Sequence, residues 1–264
     1  MNPEDLLERC EFIARDDVSG ATELTLKACD VLVEAIEKGV LGPVADRLRT
    51  VKPMMASILN VVALAGSVDD SSRAAGLVLD FRSSLESAPA RAALATVDYL
   101  KKTSEGPFRV LTISASSAVE KAIVELAGHG LTSSIVVGES RPMREGAAMA
   151  RRLAERLGYT QVTLDAALAG LIDRDSIVLI GADAVLPNRV VNKVGSLSLC
   201  LASHRWSTPA IVVTTSHKVL SARARDFYRL PLATADDEGF IDVLFEEVPL
   251  DLVTTVVTEG GAVV

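Results

Sequence analysis

The apolar periodicity of this 264-residue chain changes once, near residue 107, and that change limits the folds open to it. Up to about Lys102 the apolar residues recur at helical spacing. Asn2-Pro3-Glu4-Asp5 reads as an N-cap, a proline at the first helical position and two acids that complement the helix dipole. Leu6, Leu7, Cys10, Ile13 and Ala14 then form one apolar face. Leu24, Ala28, Val31, Leu32 and Ala35 repeat the pattern before Gly39 and Gly42-Pro43 interrupt it. Further helical stretches are predicted around Ala56–Ala65 and within residues 71–102, the latter broken near Ser87-Ala88-Pro89.

Thr103-Ser104-Glu105-Gly106-Pro107 is a linker or turn by composition, and beyond it short apolar runs alternate with helical segments. Strands are predicted at 108–114, 134–138, around Val162 and Leu164, at Ser176–Ile180, at 210–214 and at 252–257. Helices are predicted at 116–128, 144–157 and 194–204. Alternation of this kind implies a parallel sheet covered on both faces. The predicted class is therefore α/β, an N-terminal helical domain over residues 1–106 followed by a parallel-sheet domain over 107–264.

Composition narrows the class of function. A chain this long buries roughly 70–75% of its unfolded surface, so it needs no disulfide or metal staple. The 27 Lys and Arg against 35 Asp and Glu give a net charge of −8, which disfavours sequence-independent nucleic-acid binding. Cys10, Cys29 and Cys200 are odd in number and unpaired in spacing, so they read as buried reduced thiols, and no metal site is expected. His129, His204 and His217 show no ligand spacing either. The acidic N-terminus lacks the layout of a signal peptide and no apolar run approaches a membrane span, so the expected setting is the cytoplasm.

Open parallel sheets bind ligands at the carboxyl ends of their strands. The residues that follow the apolar runs are Ser114, Ala115, Ser116 and Ser117, then Glu139, Ser140 and Arg141, then Gly181-Ala182-Asp183, then Ser216, His217 and Lys218. Asn192-Lys193 precedes a predicted helix, so a free helix N-terminus beside a cation is expected to hold a phosphate. Arg141, Lys193 and Lys218 would form a basic pocket in an acidic protein, suited to a phosphorylated small molecule. Each residue alone has an ordinary use as a turn, cap or surface cation. The signatures of P-loop, dinucleotide-fingerprint and nucleophile-elbow proteins are absent from the sequence.

In order, the stretches Val110-Leu111-Thr112-Ile113-Ser114, Val137-Gly138-Glu139-Ser140-Arg141-Pro142, Gly181-Ala182-Asp183-Ala184-Val185, Val191-Asn192-Lys193-Val194-Gly195-Ser196 and Ser216-His217-Lys218 resemble one family. That family joins the alpha, beta and delta subunits of translation initiation factor 2B to isomerases of methylthioribose 1-phosphate and ribose 1,5-bisphosphate. The resemblance implies that residues 107–264 are Rossmann-like, carry a ligand pocket and provide the surface of a homodimer or larger even assembly. It implies a catalytic pair in the isomerases, a Cys and the Asp of the GAD motif. Here the Asp is Asp183, and Ser114 stands at the Cys position. It further implies that Ser19-Gly20 lies at a phosphate-binding turn and that Lys52 replaces a phosphate-binding Arg. Arg141, Asn192, Lys193 and Lys218 would complete the ligand contacts, with no cofactor.

A serine hydroxyl is a far weaker acid than a thiol, which titrates near ~8.5. Two readings follow. In one, the chain is a factor 2B-like subunit that binds a phosphorylated sugar or nucleotide and has a regulatory or assembly role. In the other it is an aldose–ketose isomerase that works through Asp183 without the usual Cys. Neither expects a membrane or direct nucleic-acid partner.

Overall fold

The computed structural model describes residues 3–16, 19–230, 234–235 and 241–263. Asn2, read as an N-cap, lies outside them. In chain order the elements are α1 (Pro3–Arg15), α2 (Ala21–Glu37), α3 (Leu41–Val51), α4 (Ala56–Ala65), α5 (Ser71–Thr103), β1 (Phe108–Thr112), α6 (Ser117–Gly128), β2 (Thr132–Gly138), α7 (Glu145–Leu157), β3 (Thr160–Thr163), α8 (Asp165–Leu168) and β4 (Ser176–Ile180). There follow β5 (Ala184–Leu186), β6 (Arg189–Lys193), α9 (Ser196–Trp206), β7 (Ala210–Val213), β8 (Thr234–Ala235), β9 (Ile241–Asp242), β10 (Phe245–Pro249), β11 (Thr255–Thr258) and β12 (Gly261–Ala262). The class is mixed α/β, a helical N-terminal region followed by a mostly parallel sheet.

Two compact units are present: Met1–Ser87 with Asp183–Val185 and His217–Pro231, and Ala88–Ala182 with Leu186–Ser216 and Leu232–Val264. The first is helical. Leu6, Cys10 and Ile13 of α1, Leu24, Ala28 and Leu32 of α2, Leu48 of α3 and Ile58, Leu59 and Val62 of α4 are buried, and each buried aliphatic side chain contributes roughly 1.5–3 kcal/mol. Two local readings of the sequence are corrected here. Gly42-Pro43 does not only interrupt: it lies in the first turn of α3, where a proline's missing N–H would be unpaired anyway. Pro89, expected to break the chain, lies inside the 33-residue α5.

The second unit is built on a seven-stranded sheet of order β12-β11-β7-β4-β1-β2-β3. All neighbours pair in parallel except β12, which is antiparallel to β11. Leaving out that edge, the order follows the doubly wound pattern in which the chain switches direction between its first and fourth strands. Val110, Ile135, Val137, Ile177, Leu179, Ile211 and Val213 form one core with Val97 and Leu100 of α5, Ala122 and Ile123 of α6 and Met149 and Leu153 of α7. The alternate residues Leu111, Val136, Val178 and Val212 are also buried, where α8 and α9 pack. Burial on both faces is why these strands read as continuous apolar runs.

Asn192-Lys193 closes strand β6, which pairs antiparallel with β10, and does not directly precede a helix. Helix α9 starts at Ser196, and its N-terminus is not free. Glu246 Oε1 accepts the backbone N–H groups of Gly195 and Leu197, each at 2.7 Å, so the positive end of the dipole already has an anion.

The start of α7 is pinned to the end of β2. A Cβ on Gly146 would stand 2.0 Å from the Gly138 carbonyl oxygen and 2.3 Å from Ser140 Oγ. Gly146→Ala is expected to cost about 3 kcal/mol, at the upper end of overpacking, because backbone has to move. Chemical denaturation would measure this, and an unchanged midpoint would refute the close packing.

Candidate functional site

At the switch point of the second unit, the chain leaves β1 and reaches Ser114 in the left-handed region, with φ of 71°. A non-glycine residue there carries strain of order 1–3 kcal/mol and persists only where its surroundings hold it. They do so through two hydrogen bonds, one of them to a residue that is itself tied down. The Ser114 N–H donates to Ser140 Oγ at 2.7 Å. Ser140, itself at φ 66° and buried, donates its N–H to Asp165 Oδ1 at 2.7 Å and its hydroxyl to the Gly138 carbonyl at 3.1 Å. The Ser114 hydroxyl donates to Glu145 Oε1 at 3.1 Å.

The same carboxylate oxygen is 3.1 Å from Lys193 Nζ. The Lys193 side chain is 5% exposed and that of Glu145 27%, so this is a largely desolvated ion pair, in which loss of either partner leaves the other charge stranded. Glu145 Oε2 is buried with no hydrogen-bond partner among the described residues. Asn192 is buried beside the pair, donating to Ser196 Oγ at 2.8 Å. A Cβ on Gly181 would stand 2.8 Å from Ser116 Cβ and 3.6 Å from Asn192 Oδ1, so the loops after β1 and β4 approach each other closely only because residue 181 is glycine. Ser116 caps α6, accepting the Val119 N–H at 3.4 Å. Arg141 donates its backbone N–H to Asp165 Oδ2 at 2.7 Å, while its side chain is exposed.

Within the second unit the structure thus brings together Ser114, Asn192 and Lys193. The first unit holds a separate group. Asp183 and Lys218 interact electrostatically: burial pushes the Lys218 ammonium below its ordinary pKa, and the Asp183 carboxylate pulls the other way. Asp183 is anchored through its carbonyl, which accepts the Ala56 N–H at 3.1 Å. The segment bearing Lys218 is clamped by Asn60, whose amide donates to the carbonyls of His217 and Val219 at 2.8 Å and accepts the Ser221 N–H at 2.9 Å. His217 is held as well, Nε2 to Ser84 Oγ at 2.7 Å and its ring edge-on to Phe81.

Ser19 and Gly20 stand at the N-terminus of α2, with Gly20 as N-cap. Lys27 donates to Ser19 Oγ at 3.0 Å and pairs with Asp16 at 2.8 Å and Glu23 at 3.1 Å, so two acids already crowd this helix end. Lys52 is half-buried at the C-cap of α3. The three cysteines are free and buried, and burial pushes Cys10 up to about 11 and Cys29 and Cys200 up to about 12. None is a thiolate near neutral pH.

Sequence reasoning missed Glu145, Asn60 and Lys27. An acid in the first turn of a helix is read as a dipole partner, which hid Glu145. The available signal for Asn60 was its isolation in the apolar run Ala56–Ala65.

Among the described residues no helix is long and apolar enough to cross a membrane. The profile of the initiation factor 2 subunit family matches residues 10–264. A probable bifunctional methylthioribose-1-phosphate isomerase/methylthioribulose-1-phosphate dehydratase of Nocardia farcinica is 33% identical over 60% of this chain, a match spanning 33% of that protein's length. A putative translation initiation factor eIF-2B subunit 2-like protein of Pyrococcus horikoshii is 27% identical over 100% of this chain and 98% of its own. The crystal structure of the Pyrococcus horikoshii OT3 translation initiation factor eIF-2B superimposes with a TM-score of 0.84 at 25% identity, covering 99% of this chain and 98% of that one. With a family profile that takes in nearly its whole length, the chain belongs to the initiation factor 2 subunit family.

Proposed function

We propose that the chain is a factor 2B-like subunit that binds a phosphorylated sugar or nucleotide without converting it, in a regulatory or assembly role as an even homo-oligomer. The observation that carries this reading is the state of Ser114. Where the isomerase pattern calls for a group that gives and takes a proton, there is a hydroxyl already committed to Glu145. The carboxylate oxygen it donates to is shared with the Lys193 ammonium at 3.1 Å. The buried, high-pKa cysteines support the same reading.

The isomerase reading draws on one specific observation, the Asp183–Lys218 pair. Burial lowers the affinity of Lys218 for its proton, which brings an ammonium closer to the range where acid–base chemistry is efficient. Under this reading Asp183 moves the proton and Ser114 only positions a hydroxyl.

A phosphorus and proton NMR time course with ribose 1,5-bisphosphate, ribose 5-phosphate, methylthioribose 1-phosphate and nucleoside monophosphates separates the two. Line broadening without conversion is the expected result. Lys193→Ala should then weaken binding by about tenfold or more, because it removes a buried cation and strands Glu145. An unchanged affinity would remove Lys193 from the pocket. Should a ketose form instead, Asp183→Asn is expected to lower turnover roughly 10²–10⁴-fold while sparing binding. Sedimentation velocity tests the assembly role, and a monomer at micromolar concentration would exclude it.

A further inference from the structure

We propose that Ser114 reads its ligand as a hydrogen-bond acceptor only, so that this position selects a donor group, a sugar hydroxyl, and rejects a phosphate oxygen. This inference rests on the phosphorylated-sugar reading and assigns one contact within it.

A serine hydroxyl has one proton and two lone pairs, and an ionised carboxylate has no proton to give. Between Ser114 and Glu145 the proton therefore belongs to the serine and points at Oε1, 3.1 Å away. What fixes it there is the carboxylate's shortage of partners. Among the described residues, hydrogen bonds or ion pairs reach Glu145 Oε1 from Ser114 and from Lys193, and none reaches the buried Oε2. Turning the Ser114 hydroxyl toward a ligand would strip a mostly buried carboxylate of one of its two donors, a loss that a single new hydrogen bond does not recover. Lys193, 5% exposed, is held against the same oxygen at 3.1 Å, so the acceptor that the serine proton points at is itself fixed in place.

The backbone adds a second constraint. The Ser114 N–H is spent on Ser140 Oγ at 2.7 Å, so it offers no donor to an anion either. Ser114 is partly exposed, and the part of its polar surface left for a ligand is the lone pairs of Oγ. A phosphate oxygen brought to this point would meet lone pairs backed by a carboxylate. A sugar hydroxyl would donate into them.

Replacing a hydroxyl with fluorine roughly keeps its size and bond polarity but removes its proton and leaves only a weak acceptor, so the part of the loss that depends on Ser114 reports the donated hydrogen bond. Titration calorimetry would compare ribose 5-phosphate and adenosine monophosphate with their 2-deoxy-2-fluoro and 3-deoxy-3-fluoro forms. In the wild-type protein one of the two fluoro positions is expected to weaken binding tenfold or more. In Ser114→Ala, a truncation at a half-exposed site, the hydroxyl and fluoro forms should bind within about twofold of one another. Glu145→Gln should also shrink the ratio, because its amide can donate to Ser114 Oγ and release the serine proton toward the ligand. Equal binding of hydroxyl and fluoro forms by the wild-type protein overturns this inference alone, as does a ratio that survives in Ser114→Ala. Failure of every phosphorylated probe to bind overturns the phosphorylated-sugar reading and this inference with it.

Discussion

The pairing of β1 with β4 is the constraint from which the second unit's chemistry follows. Both strands lie in the middle of a parallel sheet and are buried on both faces, so neither can shift register without moving apolar residues into the wrong layer. Their carboxyl ends are therefore fixed side by side at the point where the chain switches direction. Two consequences sit there. Ser114 is driven into a left-handed conformation as the chain turns away from β1, and Gly181 leaves β4 so close to Ser116 that no side chain fits. The packing free energy of the sheet maintains the local strain.

Charge is accounted for internally around this point. Lys193 is neutralised by Glu145, the positive end of α9 by Glu246, and Arg144 pairs with Glu139 at 3.3 Å. Of the cations read from the sequence as a basic pocket, the second unit pairs Lys193 internally and leaves the Arg141 side chain exposed. Under the proposed function, recognition there would depend on the direction of individual hydrogen bonds more than on net field. In the first unit Asp183 and Lys218 interact electrostatically, and both segments are tied to α4, the Asp183 carbonyl by Ala56 and the segment bearing Lys218 by Asn60.

Much of this fold was legible because burial on both faces leaves an unmistakable trace. Strands β1, β2, β4 and β7 are short apolar runs, and helices α2, α4, α6 and α7 keep their apolar spacing. Strand β6 was not legible, since Arg189, Asn192 and Lys193 outnumber its two valines: the residues that would serve a ligand erase the strand signal. β10 carries Glu246 and Glu247 and is hidden for the same reason. Helix α3 was masked by Gly42-Pro43, a breaker in mid-helix but acceptable in a first turn. Ser114 was one of four small residues following the first apolar run and was singled out among them by the family pattern, and Glu145 did not stand out at all. Its meaning lies in two contacts, with Ser114 and Lys193, that sequence distance conceals.

The cysteines, set aside as unreactive, carry a consequence of their own. Cys10 and Cys29 lie in α1 and α2 of the first unit and Cys200 in α9 of the second, all without solvent exposure. A thiol that titrates near 11 or 12 in the folded state returns to about 8.5 once its helix opens. Alkylating reagents would therefore modify each cysteine almost entirely through opened forms. The chain carries native reporters of local opening in both units, and the order in which they are labelled would say which unit opens first.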